Sequence, residues 1–347
     1  MRKIAYGATV ALTIGVVAGE LLHASILIIF ALTSLALISL AWVLGQATES
    51  LGHHLGPRAG GILNATFGNA AELIITIFAL SAGLTAVVKA SIIGSIIGNV
   101  LLVLGLSLLF GGLKNGTQSF SATIAGINAS MLTIVAAALA LPTIFVATEV
   151  QRGGGSPTTL SIEVAVVMFI LYILYLIYYF RSPEGGVATG EGHAPFGKTA
   201  SLGLLLGATA AVAYVSEAFV GAIEPLVSEF GISELFVGVI LVPIVGNIAE
   251  HIVGVQIAYK NNMDFSMAIS LGSSIQVALL VTPILVFLGP LLGHPLDLTF
   301  TLLELGALGA AVITTAFVAM DGKSNWLEGA MLVGVYVIAA LAFFFSP

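Results

Sequence analysis

Two stretches of the chain carry the same polar motif inside long apolar runs. Residues 61–82 read GILNATFGNAAELIITIFALSA, and residues 239–260 read VILVPIVGNIAEHIVGVQIAYK. Both contain Gly-Asn-x-Ala-Glu, at 68–72 and at 246–250, so the two copies are 178 residues apart. The same spacing relates Gly94-Ser95 to Gly272-Ser273 without a gap. Chance similarity between apolar helices does not keep polar residues in one register over two helices, so the sequence predicts an internal duplication.

The composition around these motifs is that of a membrane protein. Of 347 residues, 59% are hydrophobic and 8% are charged, whereas a soluble domain is about 25% charged. An outer-membrane barrel would alternate apolar and polar residues, and this chain has unbroken apolar runs instead. The absence of cysteine excludes disulfides and thiolate metal sites. No basic run of the type that binds nucleic acid is present.

The length of the apolar runs predicts an all-α polytopic membrane protein with eleven spans. A transmembrane helix needs about 20 predominantly apolar residues. Windows of that width give spans at about residues 4–20, 24–46, 58–81, 86–110, 121–142, 160–180, 199–221, 233–259, 265–290, 298–319 and 325–345. Arg2 and Lys3 precede the first span as they would in a signal peptide, but no small-residue cleavage site follows. The first span is therefore interpreted as retained.

Lysine and arginine residues predict the orientation, because cytoplasmic loops collect them. With a cytoplasmic N-terminus, eight basic residues fall inside: Arg2, Lys3, Arg58, Lys114, Arg181, Lys198, Lys260 and Lys323. Only Lys89 and Arg152 fall outside. An odd number of spans then places the C-terminus outside the cell.

The duplication predicts the domain organisation. Residues 1–22 form an unpaired first helix, 23–182 the first repeat (spans 2–6), 183–198 a cytoplasmic linker and 199–347 the second repeat (spans 7–11). The linker region is rich in Gly, Pro and Ser, which is typical of a flexible hinge. Span 3 aligns with span 8, and an offset of five spans inverts the second repeat in the membrane. Inverted repeats place a binding site where they meet, near the bilayer midplane.

Glu72 and Glu250 are the polar residues whose insertion into the membrane costs the most free energy, because each lies near the middle of its span. A charge there costs about 2.5–3.5 kcal/mol on insertion scales and marks an ion pathway by default. The competing interpretation is that each glutamate makes a purely structural hydrogen bond. The occurrence of both glutamates at the same depth in two repeats disfavours this interpretation. The other acids of the spans, Glu49, Glu163, Glu217, Glu304 and Glu328, lie nearer the predicted interfaces and are interpreted as end charges.

Helical spacing predicts the neighbours of the two glutamates. Candidate residues of the cation pathway are Asn69, Asn247, Ser95, Asn99, Ser273, Gln276 and His251. Apart from His251 they offer oxygen ligands only, which suits a hard cation such as Ca²⁺ and disfavours selective zinc or copper binding. The two serines could instead bond to their own helices. His251 follows Glu250 directly, so it points elsewhere, and proton handling and simple packing both stay open for it.

The motifs GNAAE and GNIAEH, each followed by a Gly-Ser helix, resemble the two alpha repeats of the calcium/cation antiporter superfamily. The GNIAEH form resembles its cation/proton exchanger (CAX) branch, whereas sodium/calcium exchangers usually have a hydroxyl-rich pattern ending in Pro-Glu. The resemblance covers almost the whole chain. It implies a prokaryotic plasma-membrane H⁺/Ca²⁺ antiporter without a cofactor, with Ca²⁺ as substrate and Glu72 and Glu250 as the metal and proton sites. It leaves the oligomeric state open.

Two glutamates in one desolvated site predict a mechanism of exchange. Both cannot stay ionised without a counter-charge, so protons or one divalent cation must neutralise them. The occupants exclude each other, and alternating access around a fixed site then couples their fluxes. A sodium/calcium exchanger of the same fold and a passive cation channel are the alternatives. An enzyme is disfavoured, because the sequence has no H-E-x-x-H, G-x-S-x-G or phosphate-loop motif.

Overall fold

The structure is a computed structural model that describes residues 2–56, 60, 63–64, 66–149, 155–181 and 195–346, without the side chains of residues 2 and 3. Arg58, Arg152 and most of the predicted linker lie outside the described residues, and so do the predictions made for them.

Eleven helices follow one another along the described chain. They are α1 (Arg2–Leu21), α2 (Ile26–Leu55), α3 (Ala70–Ser81), α4 (Thr85–Asn115), α5 (Ala122–Thr148), α6 (Pro157–Arg181), α7 (Lys198–Phe230), α8 (Glu234–Tyr259), α9 (Met263–Leu288), α10 (Leu302–Ala319) and α11 (Trp326–Phe344). Two short strands, β1 (Gln118–Ser119) and β2 (Lys323–Ser324), pair antiparallel. All the helices except α3 are long and apolar enough to cross a membrane. The predicted all-α polytopic class is confirmed.

The third predicted span differs from an unbroken helix. Gly68 and Asn69 form a turn, with helical residues on both sides among those described. The Gly68 N–H donates to the Asn64 carbonyl at 2.8 Å, and α3 starts afresh at Ala70 with Asn69 as its N-cap residue. Glycine has a high entropic cost in a helix, and asparagine favours caps and turns. The motif therefore interrupts the helix that carries it.

Burial separates central helices from peripheral ones. In their most apolar windows, α4 is 83% buried and α9 is 72% buried, whereas α1 is only 17% buried. Helices α5 and α6 are also largely uncovered. In a membrane protein the uncovered apolar side chains face lipid. Helices α4 and α9, which follow the two glutamate motifs, therefore form the centre of the bundle.

Wide π-helical turns interrupt three of the helices. Two of them, Val237–Leu241 in α8 and Val277–Val281 in α9, end two residues before Pro243 and Pro283. Proline has no N–H and its ring displaces the carbonyl four residues earlier, so the hydrogen bonds there must rearrange. The third, Gly98–Val103 in α4, has no proline.

The carbonyl that Pro243 releases has an identified neighbour. It belongs to Val239, four residues before the proline, and it lies against Gly94 of α4. A Cβ atom on Gly94 would overlap this carbonyl. The released carbonyl therefore packs on a glycine at a close crossing of α4 and α8.

The turns of the hairpins α3–α4 and α8–α9 are each held by a segment from the other half of the chain. On one side, the segment 289–301, a turn followed by residues without regular secondary structure, is held by Lys89 of α4, whose Nζ lies 2.6 Å from Asp297 Oδ1 and 3.1 Å from the Thr299 carbonyl. On the other side, Gln118 Nε2 donates to the Ala258 carbonyl at 2.9 Å, and Lys114 Nζ donates to the Tyr259 carbonyl at 3.2 Å. We call these the Lys89 clamp and the Gln118 clamp.

Candidate cation site

The two glutamate motifs meet in the centre of the bundle. Helices α3 and α4 with the preceding turn contribute Asn69, Glu72, Ser95 and Asn99, and helices α8 and α9 contribute Asn247, Glu250, His251, Ser273 and Gln276. Hydrogen bonds join seven of these nine predicted site residues into two clusters. In each cluster, the asparagine of one motif reaches the serine that lies beside the glutamate of the other motif.

The cluster around Glu72 is fully enclosed. Asn247 Nδ2 donates to Glu72 Oε2 at 3.0 Å and also lies 3.2 Å from Ser95 Oγ. Glu72 and Asn247 are each only 1% exposed. Glu72 Oε1 and Asn247 Oδ1 are buried and have no hydrogen-bond partner among the described residues. Unpaired buried acceptors are costly, and a cation or a proton at this place would offset that cost.

The cluster around Glu250 is hydrogen-bonded through Ser273. The Ser273 hydroxyl lies 2.8 Å from Glu250 Oε2 and 2.8 Å from Asn69 Oδ1. A hydroxyl has one proton, so it donates to one of these acceptors at a time. Asn69 Nδ2 donates to Gln276 Oε1 at 2.9 Å. Glu250 is half-buried, in contrast to Glu72.

The glycine of each motif explains how the two hairpins approach so closely. A Cβ atom on Gly68 would lie 3.3 Å from Glu250 Oε1, and one on Gly246 would lie 3.4 Å from Glu72 Cβ. Both distances are at the tight limit of ordinary contacts. The residue before each asparagine therefore brings its backbone against the glutamate of the other motif.

The partners of the asparagines differ from those that helical spacing suggested. The spacing of Asn69 and Glu72 predicted that they share one face of a helix, but Asn69 is the N-cap residue of α3 and lies outside its helical part. It contacts α9, and Glu72 is contacted by Asn247 of α8. This exchange between the motifs is not visible in the sequence, because the pairs are separated by 207 and 175 residues.

Asn99 and His251 are not joined to the clusters by hydrogen bonds in the described part of the chain. Asn99 is 1% exposed at the start of the π turn of α4, and its amide nitrogen has no partner among the described residues. His251 is 9% exposed and lies beside Glu250 in α8. Both stay predictions as site residues.

The atoms that the two clusters offer to a cation are oxygens. Among the described residues, no group of three or more His, Asp and Glu side chains is placed to hold a metal ion. Two carboxylates, amide oxygens and hydroxyls remain, and these are ligands for a hard cation such as Ca²⁺. When both are ionised, the two carboxylates would match the charge of one divalent cation.

Comparison with known proteins identifies relatives over most of the chain. The family model described as "Sodium/calcium exchanger protein" matches residues 25–181 and 200–345. A Ca²⁺/H⁺ antiporter of Aphanothece halophytica is 41% identical, over 95% of this chain and 93% of the relative. The Ca²⁺/H⁺ antiporter ChaA of Bacillus subtilis is 43% identical, over 94% of this chain and 95% of the relative.

A solved structure agrees with these matches. The structure of native YfkE is 40% identical in sequence, covers 100% of both chains and superposes with a TM-score of 0.85. The resemblance that the two motifs predicted is therefore confirmed by sequence and by fold.

Proposed function

Because the chain belongs to the sodium/calcium exchanger protein family, we propose that it exports Ca²⁺ from the cytoplasm in exchange for external H⁺. A member of this family is a multi-pass membrane transporter and not an enzyme, as the sequence predicted. The relatives at 41% and 43% identity are Ca²⁺/H⁺ antiporters, and they support H⁺ as the coupling ion. We place the protein in the plasma membrane, with its N-terminus in the cytoplasm and its C-terminus outside.

The interlocked contacts of the two motifs carry this proposal. Asn247 joins Glu72 to Ser95, and Ser273 joins Glu250 to Asn69, so a single ion between the motifs would be held by both repeats. Protons or one divalent cation can each neutralise the two glutamates, and they exclude each other. Competition for one site then produces exchange without a separate coupling device.

The Ser273 hydroxyl can serve both states of Glu250. When Glu250 is ionised, Ser273 donates to Oε2, at the distance of 2.8 Å. When Glu250 is protonated, its own O–H can donate to Ser273 Oγ, and the Ser273 O–H then donates a hydrogen bond to Asn69 Oδ1, also 2.8 Å away. In either state the Ser273 hydroxyl has an acceptor for its proton, so protonation of Glu250 leaves no new buried donor unpaired.

Alternating access is proposed to arise from the inverted repeats. Residues 23–182 and 199–347 form the two repeats, with 1–22 outside them. The hairpins α3–α4 and α8–α9 carry the glutamates, and movement of helices around this fixed site would open it to either side in turn. The empty site, with two uncompensated charges, would be the state of highest free energy. This would oppose the conformational change between the two sides of the membrane when no ion is bound.

Proteoliposomes with separately imposed gradients test the proposal. The purified protein is reconstituted with a calcium indicator inside the vesicles, and either a proton gradient or a sodium gradient is applied. We expect calcium movement against its own gradient with the proton gradient only, and its loss when an ionophore collapses that gradient. Movement driven by sodium alone would favour a sodium/calcium exchanger, and flux that never runs uphill would favour a passive channel.

Binding measured in detergent gives a second test. Because Ca²⁺ and H⁺ compete for the same oxygens, calcium binding should release protons, and raising the pH should strengthen it. Release that approaches two protons per ion would match two glutamates. Calcium affinity that ignores pH but weakens specifically with sodium would contradict proton coupling.

A further inference from the structure

One position beside the cation site differs between the two repeats. In the second repeat, Gln276 Oε1 accepts a hydrogen bond from Asn69 Nδ2 at 2.9 Å. The offset of 178 residues that relates the two motifs pairs Gln276 with Gly98 of α4. The first repeat therefore has no side chain at the position from which the second repeat bonds the asparagine of the opposite motif.

Gly98 leaves open space inside the bundle. It is buried, yet a Cβ atom on it would meet nothing within 4 Å. Gly94, one turn earlier in α4, is the opposite case, because a Cβ atom there would overlap the Val239 carbonyl. Small residues in membrane bundles usually allow helices to approach closely. Gly98 does not serve such a crossing.

This space lies on the side of α4 that faces Asn247. The backbone is α-helical up to Gly98, so Ser95 and Gly98, three residues apart, share one face of the helix. Ser95 Oγ lies 3.2 Å from Asn247 Nδ2. The repeat gives the same answer, because Gln276 bonds Asn69 and Asn69 is the counterpart of Asn247.

Three buried polar atoms in this region have no hydrogen-bond partner among the described residues: Glu72 Oε1, Asn247 Oδ1 and Asn99 Nδ2. Each of these residues is only 1% exposed. Asn247 Nδ2 donates to the other oxygen of Glu72, and Asn99 follows Gly98 directly. The counterpart of Asn99 in α9 is the apolar Val277, so helix packing at this depth does not require a polar side chain.

We propose that a buried water molecule occupies the space beside Gly98 and bonds all three atoms. Its two hydrogens would go to Glu72 Oε1 and Asn247 Oδ1, and its oxygen would accept from Asn99 Nδ2. Buried waters typically make about three hydrogen bonds to polar groups that otherwise lack partners. A cation fits this place less well, because it cannot accept a hydrogen bond from the Asn99 amide.

The water does in the first repeat what the Gln276 side chain does in the second. Its role in exchange rests on the proposed function, whereas its presence does not. Ca²⁺ takes about six to eight oxygen ligands, and water is commonly among them. A water between Glu72 and Asn247 is placed to become a ligand of the incoming ion or to leave, whereas the Gln276 side chain is covalently fixed.

Alanine and serine at Gly98 test for this water in solution. Alanine would displace it and leave the three atoms unpaired, whereas serine would displace it and supply a hydroxyl. Helix propensity alone favours alanine over serine, and both over glycine. We expect a different order in calcium-free detergent, with the thermal midpoint of Gly98→Ala a few degrees below those of wild type and Gly98→Ser.

Gly272 of α9 is the matched control, because a Cβ atom there also meets nothing within 4 Å. At this position alanine should be at least as stable as serine. A midpoint of Gly98→Ala above that of Gly98→Ser would overturn the proposal, because propensity would then account for both positions.

A crystal structure of the calcium-free protein shows the water directly. We expect density beside Gly98 within hydrogen-bond distance of Glu72, Asn247 and Asn99. It should be lost in Gly98→Ala and give no anomalous signal after soaking in Mn²⁺. A manganese peak there would assign the place to the cation, and direct pairing of Asn99 with Asn247 without density would leave no ligand; either result overturns the proposal. These measurements use no ion gradient, so they succeed or fail independently of the transport assays.

Discussion

The two halves of the cation site use the same residue types in different states. Glu72 is enclosed, is hydrogen-bonded by Asn247 and keeps one oxygen without a partner among the described residues. Glu250 is half-buried and is hydrogen-bonded by Ser273. The two halves therefore share their residue types but differ in burial and in hydrogen-bond partners. In the proposed mechanism, an ion or proton from solution would reach Glu250 more easily, and at Glu72 it would meet a buried oxygen that has no hydrogen-bond partner among the described residues.

Neutralising either glutamate should have the largest effect. Glu72→Gln and Glu250→Gln keep the shape of the side chain but cannot balance a divalent charge, so each should reduce proton-driven calcium transport to below about a tenth of wild type, a loss of more than about 1.4 kcal/mol. Transport in proteoliposomes measures this. The controls are Glu163→Gln and Glu217→Gln, both exposed acids outside the site, which should be mild. Activity above a tenth in either site variant would contradict a mechanism that needs both carboxylates.

Alanine substitutions of the two serines should lower calcium affinity by different amounts in the two halves of the site. Ser273→Ala removes the hydrogen bond that Ser273 donates to Glu250 and the alternative one to Asn69 Oδ1, whereas Ser95→Ala leaves Asn247 bonded to Glu72. Hydrogen bonds to charged groups contribute about 1.5–3 kcal/mol. We expect calcium affinity, measured by titration calorimetry, to fall about tenfold or more for Ser273→Ala and clearly less for Ser95→Ala. Equal losses would mean that the two halves are equivalent in solution.

Alanine substitutions at two equivalent glycines should reveal that the two repeats are packed differently at these positions. Gly94 and Gly272 occupy equivalent positions, yet a Cβ atom on Gly94 would overlap the Val239 carbonyl and one on Gly272 would meet nothing within 4 Å. Gly94→Ala should lower the free energy of unfolding by about 1–3 kcal/mol through overpacking. Gly272→Ala should be neutral or slightly stabilising, because alanine favours a helix. Thermal unfolding in detergent compares them, and equal midpoints would refute the close crossing at Gly94.

Variants of the two hairpin clamps should show the smallest difference in the free energy of unfolding, and only the Lys89 clamp should make it depend on acid pH. Burial alone would raise the pKa of Asp297, but the hydrogen bond and charge of Lys89, together with the Thr299 hydrogen bonds, hold that pKa below its ordinary value. A depressed pKa stabilises the fold above the ordinary value of about 3.9, and the contribution is lost as pH falls through the lower folded value. Asp297→Asn should cost about 1 kcal/mol at neutral pH and remove this acid dependence.

Lys114→Gln in the Gln118 clamp is the comparison for Asp297→Asn. Lys114 is exposed, and within the described ranges it donates to the Tyr259 carbonyl and contacts the Tyr259 ring. Its replacement should change thermal stability by less than about 1 kcal/mol, with no dependence on acid pH. A larger loss for Lys114→Gln than for Asp297→Asn would reverse the order of the two clamps.

The sequence by itself determined the membrane class, the helices and the identity of the two central glutamates. Apolar runs of about 20 residues have few alternatives to a transmembrane helix. A charged residue in the middle of such a helix costs so much free energy that it indicates a functional site. The matched motifs at 68–72 and 246–250 then supplied the resemblance to an exchanger family.

Only the tertiary structure decided which residues meet. Asn69 leaves its helix at a Gly-Asn turn and contacts α9, Asn247 contacts Glu72 across the repeat interface, and the carbonyl that Pro243 releases packs on Gly94. Each of these contacts joins residues more than a hundred positions apart, and helical periodicity relates only near neighbours. The packing of the two hairpins against each other, which no local pattern encodes, therefore fixes the hydrogen bonds of the site.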